Sequence, residues 1–219
     1  MGALAIGLLA ATISIGVGTG GPEKITITGG EQVQQLIAGI AQDGPYLGPP
    51  DASVTIGVFT DLQCSTCDSY ELDTVDPLIE EYARAGEARL EFHNYSLGEA
   101  ETTTAAYAAT AAGDQDREWQ YVDMFFRNQH AAPQGTITDE FLADIGNAIP
   151  DFDLDAWKQA MDSPEVKDRV DADGNLAAQY GLRVNGPSVI VDGPGGTKVL
   201  QDSPTKEQVD AAVSAVGGS

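Results

Sequence analysis

Val54-Thr55-Ile56-Gly57-Val58-Phe59, then Thr60-Asp61-Leu62-Gln63, then Cys64-Ser65-Thr66-Cys67, then a helix-like run from Ser69 to Tyr82: this stretch decides how the chain is read. The first segment is apolar, bounded by turn residues and short enough for a buried strand. Cys64 and Cys67 are the only cysteines in the chain. Where a strand feeds a helix, the first sulfur meets the free N–H groups and positive end of that helix, which favour thiolate. The second sulfur, one turn along, is placed to close a small ring or resolve a mixed disulfide. The pattern therefore predicts electron exchange, with Cys64 as nucleophile and Cys67 as buried resolving thiol.

Two plainer readings compete. A structural zinc site normally takes four Cys or His ligands, and the chain adds only His93 and His130, which lack ligand-like spacing. No metal is expected. A purely structural disulfide between residues three apart would close a tiny loop and stabilise little, because loop-closure entropy grows with loop length.

At 219 residues and 42% hydrophobic content, the chain supports one buried core with appendages. A formal net charge of −23 excludes nucleic acid and anionic membrane surfaces as expected partners, since phosphate binding needs clustered Lys and Arg. The acidic excess is spread along the chain after residue 22 and reads as a solvated surface. Residues 2–22 are uncharged, and Leu4, Ile6, Leu8, Leu9, Ile13, Ile15 and Val17 make the first half of that segment strongly apolar. It reads as an N-terminal apolar helix over 1–21, an uncleaved membrane anchor, with a cleaved signal segment as the alternative. Both put the domain outside the cytoplasm, either at the cell membrane or secreted or periplasmic after cleavage, where disulfides persist.

Residues 22–45 are expected to be a linker and N-terminal extension, with a strand at Lys24 to Thr28 and a helix at Glu31 to Ala41. The main domain is expected over 46–216. Pro77 should kink the helix that follows the cysteines. Arg89 to Tyr95 alternates as a second strand, and from about 99 to 178 the pattern is helical. Ser163 with Pro164 opens the last of these helices. Ser188 to Val191 and Thr197 to Leu200 are short strands about a Gly-Pro-Gly-Gly turn, and Thr205 with Gln208 forms a capping box for a final helix. The fold class is α/β.

Phe59 to Cys67, Glu118-Trp119-Gln120-Tyr121-Val122-Asp123-Met124-Phe125-Phe126, and Gln179-Tyr180-Gly181 through Pro187, in that order, resemble the DsbA-like branch of the thioredoxin superfamily over about residues 46 to 216. The resemblance implies a thioredoxin-like fold with a helical insertion and thiol–disulfide exchange through Cys64 and Cys67, with Ser65 and Thr66 as the active-site dipeptide. It implies no cofactor. It gives Pro187 a cis peptide bond facing the cysteines and makes Gly186 and Pro187 a docking edge for an extended substrate segment. Unfolded or exported cysteine-containing proteins are the implied substrates, with a membrane redox partner for recycling. A reductase or isomerase of the same fold is the alternative, as is a membrane-tethered peptide-binding or chaperone module whose cysteines are idle.

Three residues depart from the family pattern. Gly186 precedes the proline where Thr, Val or Ile is common. Val58 stands six residues before Cys64, where a buried acid often moves a proton to the second sulfur, leaving water or Asp61 as the expected relay. Ser65-Thr66 replaces a Pro-His pair, so no imidazolium neighbours the sulfur. Losing one cationic partner shifts a couple some tens of millivolts toward the reducing side, which predicts a potential between about −120 mV (DsbA) and about −270 mV (thioredoxin).

Overall fold

The computed structural model describes residues 25–65, 67–95, 100–132, 136–183 and 186–217. The predicted apolar helix over 1–21 lies outside them. Among the described residues, no helix is long and apolar enough to cross a membrane.

A six-stranded mixed sheet organises the chain, in the order β1-β2-β4-β3-β5-β6. Its strands are β1 (Gln42–Asp43), β2 (Tyr46–Leu47), β3 (Thr55–Thr60), β4 (Arg89–Asn94), β5 (Ser188–Gly193) and β6 (Gly196–Leu200). β3 and β4 are parallel, and all other neighbours are antiparallel. β3 is central and apolar because both faces are covered. Ile56 and Val58 enter the main core, while Phe59, on the opposite face, packs with Ala177, Leu182 and Ile190. The α/β thioredoxin-like frame follows the sequence reading.

The helix after the cysteines runs as α2 (Cys67–Tyr70), a π-helical segment Glu71–Val75, α3 (Asp76–Leu78) and a second π-helical segment Ile79–Ala83. Pro77 cannot donate to the backbone ladder, and it stands between the two widened segments, where the hydrogen-bond register has shifted to i→i−5. Helices α4 (Ala100–Ala112), α5 (Glu118–Asn128), α6 (Asp139–Asn147), α7 (Leu154–Met161) and α8 (Pro164–Gln179) then form the insertion between β4 and β5. Ser163 Oγ caps α8 by accepting from Val166 N at 3.2 Å. The final helix, α9 (Lys206–Val216), carries the Thr205/Gln208 capping box.

Two expectations near the start need correction. Residues 25–29 form no strand; instead Asn128 grips the segment, accepting from Thr28 N at 2.8 Å and donating to Thr28 O at 2.9 Å. The first helix, α1 (Gly30–Ile37), ends four residues earlier than its apolar pattern suggested. It buries Val33, Leu36 and Ile37 in the main core. The β1–β2 hairpin then pairs with β4, so residues before 46 share the domain's sheet and core.

Candidate active site

β3 ends at Thr60, and the chain turns once before the helix begins at Cys67. Asp61 builds that turn. Its Oδ1 accepts from Gln63 N at 2.8 Å and its carbonyl accepts from Cys64 N at 3.0 Å, while the residue is only 8% exposed. Cys67 N in turn donates to Cys64 O at 3.1 Å. Cys64 and Cys67 form a disulfide, with Cα atoms 5.3 Å apart. Cys64 is half-buried and Cys67 is 1% exposed, so an incoming thiolate meets Cys64 first. Ser65 is exposed, and Thr66 lies outside the described residues.

The insertion reaches back to hold this turn. Gln129 Nε2 donates to Leu62 O at 2.8 Å and to Cys64 O at 3.1 Å. Next to it, His130 Nε2 lies 2.9 Å from Asp68 Oδ2, in the first turn of α2. No local signal marks either residue. They follow the cysteines by more than sixty positions and meet them only because α5 packs against α2.

Pro187 stands beside the same end of the sheet. The register Phe59↔Ser188 sets Pro187 level with Thr60, the last residue of β3. Contrary to expectation, no peptide bond among the described residues is cis, so Gly186–Pro187 is trans. The chain turns instead at Gly186, whose φ of 143° disfavours any side chain. A Cβ there would lie 2.5 Å from Ser203 Oγ, and Ser203 N donates to Pro187 O at 2.9 Å. Gly186, the departure from the family pattern, is thus what this loop geometry requires.

Val58 is fully buried in β3 and offers no proton acceptor. A buried acid does occur on the helix itself. Glu71, one turn beyond Cys67, is 1% exposed, and burial, reinforced by Asp123 and Asp76 and opposed by Arg127, holds its pKa well above the ordinary carboxylate range. Its signal was present in the sequence: Cys67, Glu71, Val75 and Leu78 recur at helical spacing on one inward face.

The two histidines play separate parts. His93 stacks on Phe59 with ring centroids 4.1 Å apart, and its Nδ1 lies 2.7 Å from Asp173 Oδ1 and its Nε2 3.5 Å from Glu91 Oε2. Burial alone would lower its pKa, but the two carboxylates outweigh burial and hold it at about 9. Asp173 Oδ2 also accepts from Asn94 N at 2.9 Å, tying β4 to α8.

A family model described as thioredoxin matches residues 41–215. The chain is a DsbA-like member of the thioredoxin family. It is 32% identical over 151 residues to a probable disulfide bond formation protein D of Bacillus anthracis, covering 67% of this chain and 69% of that protein. Among solved structures it is similar to oxidised BdbD from Bacillus subtilis, with a TM-score of 0.65 and 19% identity over 80% of this chain and 95% of that one. Chlamydia trachomatis DsbA is similar to the same degree, with a TM-score of 0.66 and 20% identity over 80% and 91% of the two chains. In this DsbA-like chain the cysteine pair, the insertion and the proline loop occupy the order that the sequence reading used.

Proposed function

We propose that the chain is an extracytoplasmic thiol–disulfide oxidoreductase that donates its Cys64–Cys67 disulfide to cysteine pairs of exported proteins. One observation carries this reading: the disulfide joins a half-buried Cys64 to a fully buried Cys67 at the mouth of a helix. A substrate thiolate attacks Cys64 Sγ, the Cys64–Cys67 bond breaks, and Cys67 leaves with the electron pair. A second substrate thiolate then attacks the substrate sulfur of the mixed disulfide. Cys64 leaves as a thiolate, stabilised by the helix end, and the substrate keeps the new disulfide. Two electrons now reside on the enzyme, and a membrane redox partner removes them.

Asp61 shapes the turn that presents Cys64, and the active-site dipeptide Ser65-Thr66 brings no imidazole to the pair. Gly186 and Pro187 offer the docking edge for an extended substrate segment. The apolar segment over 1–21 tethers the domain to the membrane in this reading.

The decisive measurement is the equilibrium potential of the pair against glutathione, together with alkylation of the reduced protein across pH. An oxidase with a weakened cationic environment should fall between about −120 and −270 mV, and one thiol should react well below its unperturbed pKa of about 8.5. A potential at the thioredoxin end would favour the reductase or isomerase reading, and two sluggish thiols would favour the binding module. Cys67→Ser should trap mixed disulfides on Cys64; trapping by Cys64→Ser instead would reverse the assignment.

A further inference from the structure

The active-site dipeptide carries no imidazole, but the tertiary structure delivers one from the helical insertion. Consecutive residues at the end of α5 each grip a different segment. Asn128, 3% exposed, accepts from Thr28 N and donates to Met124 O at 2.8 Å. Gln129 donates to Leu62 O and Cys64 O. His130, in the 3₁₀ turn Gln129–Ala131, sets its Nε2 2.9 Å from Asp68 Oδ2. The first two grips fix the backbone that carries the third. Asp68 follows Cys67 directly, in the first turn of α2. Cys67 N donates to Cys64 O, so the chain is already coiled between the sulfurs and Asp68 stands about one turn beyond Cys64. A carboxylate there disfavours a second negative charge on Cys64. Among the described residues, His130 is the only ion-pair partner of Asp68. An ionised carboxylate only accepts hydrogen bonds, so the Nε2 that faces it carries a proton and draws on its charge.

We propose that His130 is a positioning residue of the redox site: it pairs with Asp68 and offsets that carboxylate, so that the Cys64 thiolate formed on reduction is not opposed by an uncompensated charge. The inference rests on the reading of Cys64–Cys67 as an exchanging pair. Its effect falls on charge rather than on folding. The His130 side chain is 72% exposed and that of Asp68 22%, and ion pairs so exposed contribute little to stability. The sulfur they act on is half-buried and about a turn away, where screening by water and salt is incomplete. The insertion thereby tunes a couple whose reacting atoms belong to the thioredoxin frame. In equilibrium with glutathione, two glutathione sulfurs join as a disulfide and their two electrons pass to Cys64 and Cys67. One proton goes to Cys67 and the other to solvent, leaving Cys64 as thiolate. Whatever stabilises that thiolate moves the equilibrium toward the reduced protein.

The experiment equilibrates the full chain with reduced and oxidised glutathione at one pH and salt concentration, and alkylates the reduced protein across pH. His130→Ala should shift the constant ~3-fold toward the protein disulfide, the scale of an exposed ion pair, which is about 14 mV at about 30 mV per tenfold. Alkylation of Cys64 should then need a higher pH. Asp68→Asn should shift the constant in the opposite sense. His130→Ala made in the Asp68→Asn background should add nothing, because an imidazole without its carboxylate swings into solvent. A wild-type constant in His130→Ala would overturn the proposal, and a lowered thermal midpoint beside that unchanged constant would make the pair a structural clasp. An equal shift by His130→Ala with and without Asp68 would also overturn it, since His130 would then not act through Asp68. Two sluggish thiols in the wild type would overturn the exchange reading and this inference together. A wild type that exchanges, with variants that share its constant, would overturn this inference alone.

Discussion

The Cys64 turn and the Pro187 turn, which lie at the same end of the sheet, are held in opposite ways. The Cys64 turn is secured from outside the thioredoxin frame, by Gln129 at the end of the α5 region donating to Leu62 O and Cys64 O. The Pro187 turn is secured from within the frame, by Ser203 N donating to Pro187 O and by a glycine in a conformation that no side chain accepts comfortably. The Cys64 turn therefore feels the helical insertion directly, whereas the Pro187 turn depends on the segment that follows the last hairpin. β3 links them, since it leads into Asp61 at one end of its register and pairs with Ser188 beside Pro187.

The largest expected effect lies at the redox turn. Cys64→Ser should abolish disulfide exchange while leaving the fold intact, because the half-buried sulfur is the only one an incoming thiolate reaches. Dithiol-dependent reduction of a peptide disulfide is the measurement. Residual exchange near the wild-type rate would break the contrast between an accessible Cys64 and a buried Cys67.

The next effect tests the element shared by both turns. His93, stacked on Phe59 of β3, has its pKa raised from 6.5 to about 9. A group whose folded pKa is raised stabilises the fold fully below its unfolded value and loses that contribution as pH climbs through the folded value. Stability should therefore decline between about pH 6.5 and 9 by up to about 3 kcal/mol, each pKa unit being worth about 1.4 kcal/mol. Urea midpoints across that range measure it, and His93→Asn should remove the decline while lowering stability throughout.

Gly186→Ala comes third. The positive φ and the approach to Ser203 Oγ should cost about 1–3 kcal/mol and slow peptide turnover more than the chemistry of small dithiols. Equal slowing of both substrates would show that the proline loop serves the cysteines rather than docking. Gln129→Ala is the smallest, about 0.5–1.5 kcal/mol for hydrogen bonds whose backbone acceptors can turn to water. Its telling readout is a shift of the redox potential, since the Cys64 carbonyl loses its tie to the insertion; Ser203→Ala, which retains the backbone N–H, should produce none.

The buried strand at Thr55–Thr60, the cysteine helix, the helical block and the capped last helix were all legible because each rests on local rules: apolar runs, cap residues, and turn chemistry. Local rules failed at Lys24 to Thr28, where alternation suggested a strand but Asn128 supplies the hydrogen bonds that a neighbouring strand would have given. At Pro187 it was the family resemblance that implied a cis bond; the bond is trans, and the chain turns at Gly186, with Ser203 N donating to Pro187 O.

Sequence alone determined the cysteine pair, since a two-residue spacing at the start of a helix fixes where both sulfurs fall, one half-buried and one buried. It also determined the α/β frame, through the period of its apolar residues. Only the tertiary structure decided what surrounds the pair: Gln129 on Cys64, His130 beside Asp68, Ser203 on Pro187, and Glu71 among Asp76 and Asp123. These are contacts between helices and loops far apart in the chain. Periodicity states which face of an element turns inward, and packing alone states which other element it meets there.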